Sequence, residues 1–344
     1  MSGLANPDQL LAERGVEQQL DAFVVATVFS RDGAQAAFAL GDGSIALVAR
    51  AEPSTWLRVA AHDGAVLALA PAVTRGGFLS GGDDGAFMAL NSAGEKHEIA
   101  RFGMKWVEHV ASHASGVMAA SVGKKLHLFD AQDAPLKGLD HPSAITGLAF
   151  DAKGKRVAAA HYNGVSLWFV ASKSANPRRL EWKGSHTALA FSPDGDVVVT
   201  AMQENALHGW RLSSNEHMRM SGYPAKTAAL SFSRSGKWLA TSGADTVVLW
   251  PFTGGGPMGK PPVELAGGDN VMCTYVACHP AHEAVAAGFA DGLVVLADID
   301  SHRILPVCGP GRGPVSTLAW SPDGAFLAIG TESGAAALVD FSKR

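Results

Sequence analysis

The sequence predicts an all-β fold made of eight repeated sheets, each with four short antiparallel strands. Three observations lead to this prediction. The stretch "TALAFSPDGDVVV" (187–199) returns at 317–329 as "TLAWSPDGAFLAI". Related stretches recur along the whole chain at a nearly constant spacing. The composition, with 39 glycines in 344 residues and only 17% charged residues, suits short strands and tight turns.

Each copy of the repeated stretch predicts a β-hairpin. Two apolar runs flank a Ser-Pro-Asp-Gly corner, in which proline presets one turn dihedral and glycine accepts a positive φ. Taking the last residue of the first run as an anchor, neighbouring anchors are 38 to 46 residues apart. The clear anchors are Phe29, Phe150, Phe191, Phe232 and Trp320, and the weaker ones are Pro71, Ser112 and Cys278.

Two further strands follow each hairpin corner. The second strand is small and apolar ("FLSGG", "WLATSG"), and a Gly/Asp/Asn corner leads to a third strand with a bulky end ("VSLWF", "TVVLW"). A more polar fourth strand, such as "RRLEW" or "EHMRM", precedes the next anchor. Four strands in about 40–45 residues is the pattern of a β-propeller blade. The expected fold is therefore an eight-bladed β-propeller that forms a single domain over residues 1–344.

The period, the Ser-Pro-Asp-Gly corner and the tryptophans that end third strands resemble the WD-repeat (Trp-Asp repeat) family, over residues 16–341. The chain resembles a degenerate, prokaryotic-type member. The resemblance implies a lock within each blade, made by a His, a Ser, an Asp and a Trp. Its candidates here are His62, Ser80 and Asp84 in one blade and His141 and Trp168 in another. Leu90 replaces the Trp of the first set, Asn163 lies near the Asp position of the second, and Trp182 and Tyr223 hold His positions elsewhere.

The two ends of the sequence predict how the ring closes. The last repeat stops at "ALVDF", the end of a third strand, while "GVEQQLDAF" precedes the first repeat without a partner. Residues 16–22 are therefore expected to form the outer strand of the last blade, which leaves no open edge. Residues 1–15 are expected to be a short N-terminal extension.

Charge and cysteine content limit the partner classes. The net charge of −4, with no long basic block, argues against nucleic-acid binding. No secretory signal and no run of about 18 apolar residues is recognisable, and three cysteines form no evident disulfide framework. We expect a cytoplasmic monomer with no membrane association.

Candidate chemistry along the chain is weak. In "CTYVACHPAH" (273–282), Cys278, His279 and His282 are metal-capable residues, but Cys278 and His279 take the anchor and corner positions of a repeat. The segment is interpreted as a variant turn, and His127 and His208 as packing residues. No catalytic motif or phosphate loop is present, so neither catalytic residues nor a cofactor or metal is expected.

The rim that carries the fourth-to-first and second-to-third connections remains as the candidate binding surface. Large aromatic and Met side chains at exposed loop positions are typical interface anchors. The predicted set is Trp106, His161, Tyr162, Met202, Tyr223, Met272 and Phe289. These residues favour a protein–protein interaction scaffold that binds a protein or peptide partner. The alternative is an enzyme or metal-handling protein with a site in the central channel.

Overall fold

The computed structural model describes residues 6–174 and 176–342, which contain one helix and thirty strands. The helix, α1, spans Gln9–Arg14, and β1 (Gly15–Gln19) follows it directly. Apart from α1 the described chain is all-β, which confirms the predicted fold class. Within these residues no helix has the length and apolar character needed to cross a membrane.

Six sheets have four antiparallel strands each, paired in chain order except that β1 joins the last three strands of the chain. The first three contain β2 (Val24–Phe29), β3 (Gln35–Leu40), β4 (Ser44–Ala49) and β5 (Trp56–Ala60); β6 (Val66–Pro71), β7 (Phe78–Gly82), β8 (Ala86–Leu90) and β9 (Lys96–Arg101); and β10 (His109–His113), β11 (Val117–Val122), β12 (Lys125–Phe129) and β13 (Pro135–Asp140). The last three contain β20 (Leu230–Phe232), β21 (Trp238–Thr241), β22 (Thr246–Pro251) and β23 (Val263–Gly267); β24 (Cys273–Cys278), β25 (Ala284–Phe289), β26 (Val294–Asp298) and β27 (Ile304–Cys308); and β28 (Val315–Trp320), β29 (Phe326–Thr331) and β30 (Ala335–Asp340), together with β1.

Between these two groups lies a single six-stranded sheet. It contains β14 (Ile145–Phe150), β15 (Arg156–Phe169), β16 (Arg178–Phe191), β17 (Val197–Met202), β18 (Ala206–Arg211) and β19 (His217–Ser221).

The sheet count corrects the prediction of eight separate four-stranded blades, because the described strands form seven sheets. The repeats anchored at Phe150 and Phe191 share one sheet. Continuous strand β16 is the physical reason: its first part pairs with β15 and its second part with β17. The fourth strand of one repeat and the first strand of the next are thus one element.

Strand β15 also covers two predicted strands. Asn163 and Gly164 have φ values of 67° and 140°, where the chain reverses direction. The Val170 N–H donates to the Lys155 carbonyl at 2.9 Å, so the two ends of β15 lie side by side. The reversal leaves Tyr162 at the tip of this element.

The sheets are arranged in a ring. The innermost strands contact one another in the order β2, β6, β10, β14, β16, β20, β24 and β28, and β28 contacts β2 again. The ring is closed by β1, which pairs antiparallel with β30 from Gly15↔Val339 to Gln19↔Ala335. The predicted closure by the N-terminal segment is confirmed, although the strand occupies 15–19 in place of 16–22. Helix α1 packs Leu11 into the core beside β27 and β30.

The core lies between neighbouring sheets. Second strands such as β3, β17 and β29 are buried along their full length and consist mostly of small or β-branched residues. Small side chains let adjacent sheets approach closely, and larger buried ones such as Phe38 and Phe289 fill the remaining space between them. The apolar runs in the sequence are thus explained by packing between sheets.

The repeated corner forms the expected tight turn. In the copy at 192–195 the Ser192 hydroxyl donates to the Asp194 carboxylate, which also accepts the Asp196 N–H at 2.9 Å. Gly195 has a φ of 73°. The copy at 321–324 repeats these contacts through Ser321 and Asp323. The three residue types serve a structural turn, as the sequence predicts.

Candidate functional site

Antiparallel pairing divides the connections between two opposite rims. We call the upper rim the one formed by the connections between second and third strands and by those between an outer strand and the next inner strand. The lower rim contains the repeated corners and the connections between third and fourth strands. The predicted partner-binding residues all belong to the upper rim or to the strand ends beside it.

One predicted lock forms around His62. Its Nδ1 lies 3.0 Å from Asp84 Oδ1, and its Nε2 lies 2.8 Å from the Ser80 hydroxyl. Burial alone would raise the pKa of Asp84, but hydrogen bonds from the Ala86 N–H and His62 outweigh it and hold the pKa below its usual value. These hydrogen bonds join the connection before β6, which contains His62, to β7 and to the connection that follows β7.

The second predicted lock joins His141 and Trp168. The Trp168 indole N–H donates to His141 Nε2 at 3.1 Å, so the proton of the neutral imidazole lies on Nδ1, which donates to the Leu139 carbonyl at 3.0 Å. Burial lowers the pKa of His141 to about 4. The ring therefore stays neutral in the folded protein, as its acceptor role requires.

Tyr223 makes a lock of the same kind, which the sequence interpretation placed on the binding rim instead. The Trp250 indole N–H donates to the Tyr223 oxygen at 2.6 Å. The phenol proton is then directed at the Thr241 hydroxyl, also at 2.6 Å, and Thr241 donates to the Val248 carbonyl. Burial raises the pKa of Tyr223 to about 12. Its position in a buried hydrogen-bond chain removes Tyr223 from the exposed rim set.

Three further predicted rim residues are also buried, which corrects their assignment as exposed anchors. His161 is 5% exposed, and its Nε2 lies 2.9 Å from the Ser166 hydroxyl. Met202 and Phe289 are 3% and 2% exposed, and Phe289 belongs to the core between β22 and β25. All three lie at the upper ends of second strands, where side chains point into the space between sheets.

The exposed side chains at the upper rim are fewer. Trp106 is 57% exposed and Tyr162 is 54% exposed, as the sequence predicts, whereas Met272 is half-buried. Phe23 (43%) and Met104 (90%) are exposed on connections of the same class and were missed. Their position before an inner strand, equivalent to that of Trp106, is the sequence signal that identifies them.

Beside Tyr162 lies a groove of about 900 Å³. Its lining residues are Pro142, Ser143, His161, Tyr162, Asn163, Val165, Arg179, Leu180, Glu181, Trp182 and Lys183. A second depression of about 320 Å³ shares Tyr162, Trp182 and Lys183 with it and extends to Arg219. Tyr162 is fixed at the groove by its backbone N–H, which donates to the Ser143 hydroxyl at 2.9 Å.

Trp182 has a rigid support below it. Its ring stacks on the His208 ring, with centroids 3.9 Å apart and an angle of 14° between the planes. His208 is fully buried, neither of its ring nitrogens has a hydrogen-bond partner within the described chain, and burial lowers its pKa to about 3. This geometry agrees with the interpretation of His208 as a packing residue, and it presents Trp182 as a preformed wall of the groove.

The segment 273–282 does not assemble a ligand set. The Cys278 thiol donates to the Ser231 carbonyl at 3.2 Å, and burial raises its pKa to about 12. His279 Nε2 donates to the Gly324 carbonyl, and its Nδ1 accepts the N–H groups of Ala281 and His282, all at 3.0 Å. Residues 6–174 and 176–342 contain no group of three or more His, Cys, Asp or Glu side chains arranged to hold a metal ion.

The sequence is similar to one family profile and to several known proteins. The family profile described as the WD40 domain of anaphase-promoting complex subunit 4 matches residues 273–344. A serine-threonine kinase receptor-associated protein of Dictyostelium discoideum is 23% identical over 67% of this chain and 78% of its own length. Telomerase protein component 1 of Rattus norvegicus is 28% identical over 56% of this chain, but the match spans only 7% of that protein.

A solved structure has a similar architecture. The crystal structure of the computationally designed Ika8 protein superimposes with a TM-score of 0.75 and covers 94% of this chain and 98% of the designed one. With 18% sequence identity, this likeness concerns the fold alone.

Proposed function

Because the chain belongs to the WD-repeat β-propeller family, we propose that it is a protein–protein interaction scaffold that holds a protein or peptide partner at its upper rim. The matching family profile is named for a subunit of a complex, and the Dictyostelium relative is named as a receptor-associated protein. Such names support an assembly role. Fold alone does not determine function, so the proposal depends on the site.

The observation that carries the proposal is the exposure of Trp106 and Tyr162 on the same rim, with Tyr162 beside a groove of about 900 Å³. An exposed aromatic ring next to a concave surface can be desolvated by a partner side chain, and such positions provide most of the binding energy in many interfaces. The stacked Trp182 adds a rigid wall, which lowers the entropy lost on binding.

The proposal assigns a non-catalytic role to a cytoplasmic monomer. The three cysteines, Cys273, Cys278 and Cys308, are free thiols with raised pKa values caused by burial. Unreactive, unpaired thiols suit a reducing compartment. The histidines at the locks and corners use their ring nitrogens in structural hydrogen bonds, which supports a scaffold over a metal-handling protein.

The test is the double substitution Trp106→Ala with Tyr162→Ala. We expect a melting temperature close to that of the wild type, because both side chains are exposed, and loss of partner capture from an extract of the source cells. Truncation of a buried interface anchor costs about 2–4 kcal/mol of binding free energy.

The matched control removes exposed apolar side chains elsewhere. Leu57 and Leu136 lie on outer strands and are 42% and 47% exposed, so Leu57→Ala with Leu136→Ala should retain the captured partner. A lowered melting temperature with retained capture in the Trp106 and Tyr162 variant would assign both rings to the fold and contradict the proposal.

A further inference from the structure

Charge is unevenly distributed around the upper rim. The upper-rim connections that lie between β1 and β8 and those that lie between β23 and β30 are adjacent in the ring, since β28 contacts β2, and we call them the acidic arc. Its acidic residues are Asp21, Asp42, Asp63, Asp83, Asp84, Asp269, Asp291 and Glu332. Its one cation in the described connections is Arg312, which already pairs with Asp8 and Glu17 at 2.8 Å and 2.6 Å.

The remaining upper-rim connections, from the one between β9 and β10 to the one between β21 and β22, form together with the groove walls what we call the basic arc. Its cations are Lys105, Lys124, Arg179, Lys183, Arg219 and Lys226, all exposed. None of these six has a carboxylate within 4.0 Å among the described residues. An unpaired cation at an interface gains the full attraction of an incoming anion, because no internal pair has to be broken first.

The carboxylates of the basic arc are Glu108, Glu181, Glu204 and Asp245. Two of these carboxylates, Glu108 and Glu204, interact with the surrounding protein in ways that affect their charge or their availability to a ligand. Burial raises the pKa of Glu108. Glu204 accepts the Ser185 N–H with both carboxylate oxygens, at 3.0 and 3.3 Å. The cations therefore outweigh the acids on this side of the rim, while the chain as a whole carries a net charge of −4.

Three accessible aromatic side chains of the upper rim lie in the basic arc, and one, Phe23, lies in the acidic arc. Trp106, Tyr162 and Trp182 all belong to the basic arc. A ligand matched to this surface needs negative charge for the lysines and arginines and apolar or aromatic side chains for the three rings. A peptide segment with alternating acidic and hydrophobic residues has both properties.

We propose that the basic arc binds an acidic, hydrophobic peptide segment of a partner protein, and that the acidic arc orients it by repulsion. This inference rests on the proposed scaffold function and specifies the chemistry of its partner. A nucleic acid fits less well, because its continuous backbone charge would extend across the acidic arc, where at least six carboxylates have no cationic partner in the described chain.

The experiment selects short peptides from a random display library on the immobilised wild-type protein. We expect the enriched peptides to be rich in Asp and Glu together with Leu and aromatic residues. Their affinity should fall at least about tenfold when the NaCl concentration rises from about 0.05 to about 0.5 M, because exposed charge pairs are screened by salt.

Two charge-reversal variants locate the site. Lys105→Glu, Lys183→Glu and Arg219→Glu change the basic arc, and Lys153→Glu, Lys155→Glu and Lys237→Glu make the same change in net charge on the lower rim. The first variant should lose at least about tenfold in affinity for the enriched acidic peptides, whereas the second should bind them like the wild type.

Several results would overturn the inference: no enriched peptides, enriched peptides that are neutral or basic, equal losses in both variants, or oligouridine RNA that binds as tightly as the acidic peptides. The experiment also distinguishes failure of the acidic-partner inference from failure of the proposed scaffold function. Neutral peptides that require Trp106 and Tyr162 would retain the scaffold and reject the acidic partner. Absence of both peptide enrichment and extract partners would reject both.

Discussion

The buried chain Trp250–Tyr223–Thr241 can be tested by removing one oxygen atom. Tyr223→Phe keeps the ring but leaves the buried indole N–H of Trp250 without its acceptor, while Thr241 keeps its bond to the Val248 carbonyl. An unsatisfied buried donor costs about 1–3 kcal/mol, and the lost bond to Thr241 adds about 1 kcal/mol. We therefore expect the free energy of unfolding to fall by about 2–4 kcal/mol.

Urea unfolding followed by tryptophan fluorescence measures this change, which should shift the midpoint without altering the m-value. The matched control is Tyr162→Phe, since Tyr162 is 54% exposed and should change stability by less than about 0.5 kcal/mol. Adding Trp250→Phe to Tyr223→Phe should cost less than the two single changes together, because it removes the orphaned donor. Equal midpoints for Tyr223→Phe and Tyr162→Phe would refute the assignment of Tyr223 as a lock.

Three further predictions concern pH, closure and the His279 corner. Burial lowers the pKa of His141 to about 4, so the unfolded chain binds more protons between pH 6.5 and 4, and stability should fall as pH falls, by about 2 kcal/mol at pH 5 from this residue alone. A flat urea midpoint from pH 7 to 5 would contradict this. Deleting residues 1–19 removes β1 and exposes the edge of β30. We therefore expect a lower melting temperature and concentration-dependent association in light scattering. A truncated chain that melts like the full-length chain would show that the ring closes in another way. His279→Ala removes three hydrogen bonds and should lower the urea midpoint by the equivalent of about 2–3 kcal/mol. Elemental analysis should find no metal in the wild type or in the variant. One bound metal that is lost on substitution would favour the metal-handling alternative.

The sequence predicts the repeated hairpins and the ring closure because both depend on local patterns. The Ser-Pro-Asp-Gly corner fixes its own dihedrals, and the unpaired third strand at one end matches an unpaired segment at the other. The sheet count was wrong because it depends on whether the chain breaks between two repeats. At 182–185 the β16 backbone continues through Gly184, at a φ of 125°, and no local residue pattern marks that continuity.

Rim residues were predicted less well for a different reason. The period identifies the end of each second strand, but exposure there depends on which way one side chain turns. His161 points inward to Ser166, and the next residue, Tyr162, points to solvent. Strand alternation predicts that such neighbours differ, but it does not tell which of the two faces the neighbouring sheet.

The least regular repeats show that hydrogen-bond roles persist when residue types change. Where a regular corner has Ser, two of the three weak repeats have His, at His113 and His279. In both, Nδ1 accepts the backbone N–H two residues later, whereas the serine hydroxyl of a regular corner accepts the backbone N–H five residues later. The Nε2 atom reaches a carbonyl of the next repeat, Ala152 at 3.3 Å or Gly324 at 3.0 Å. The longer side chain thus caps its own turn and also joins two sheets. Tyr223 similarly takes the place of a locking histidine and accepts the same indole N–H. Degeneracy in this chain therefore changes the identities of the locking residues more than the hydrogen bonds that they make. The side chains left exposed on the rim, such as those of Trp106 and Tyr162, take no part in a lock or a corner.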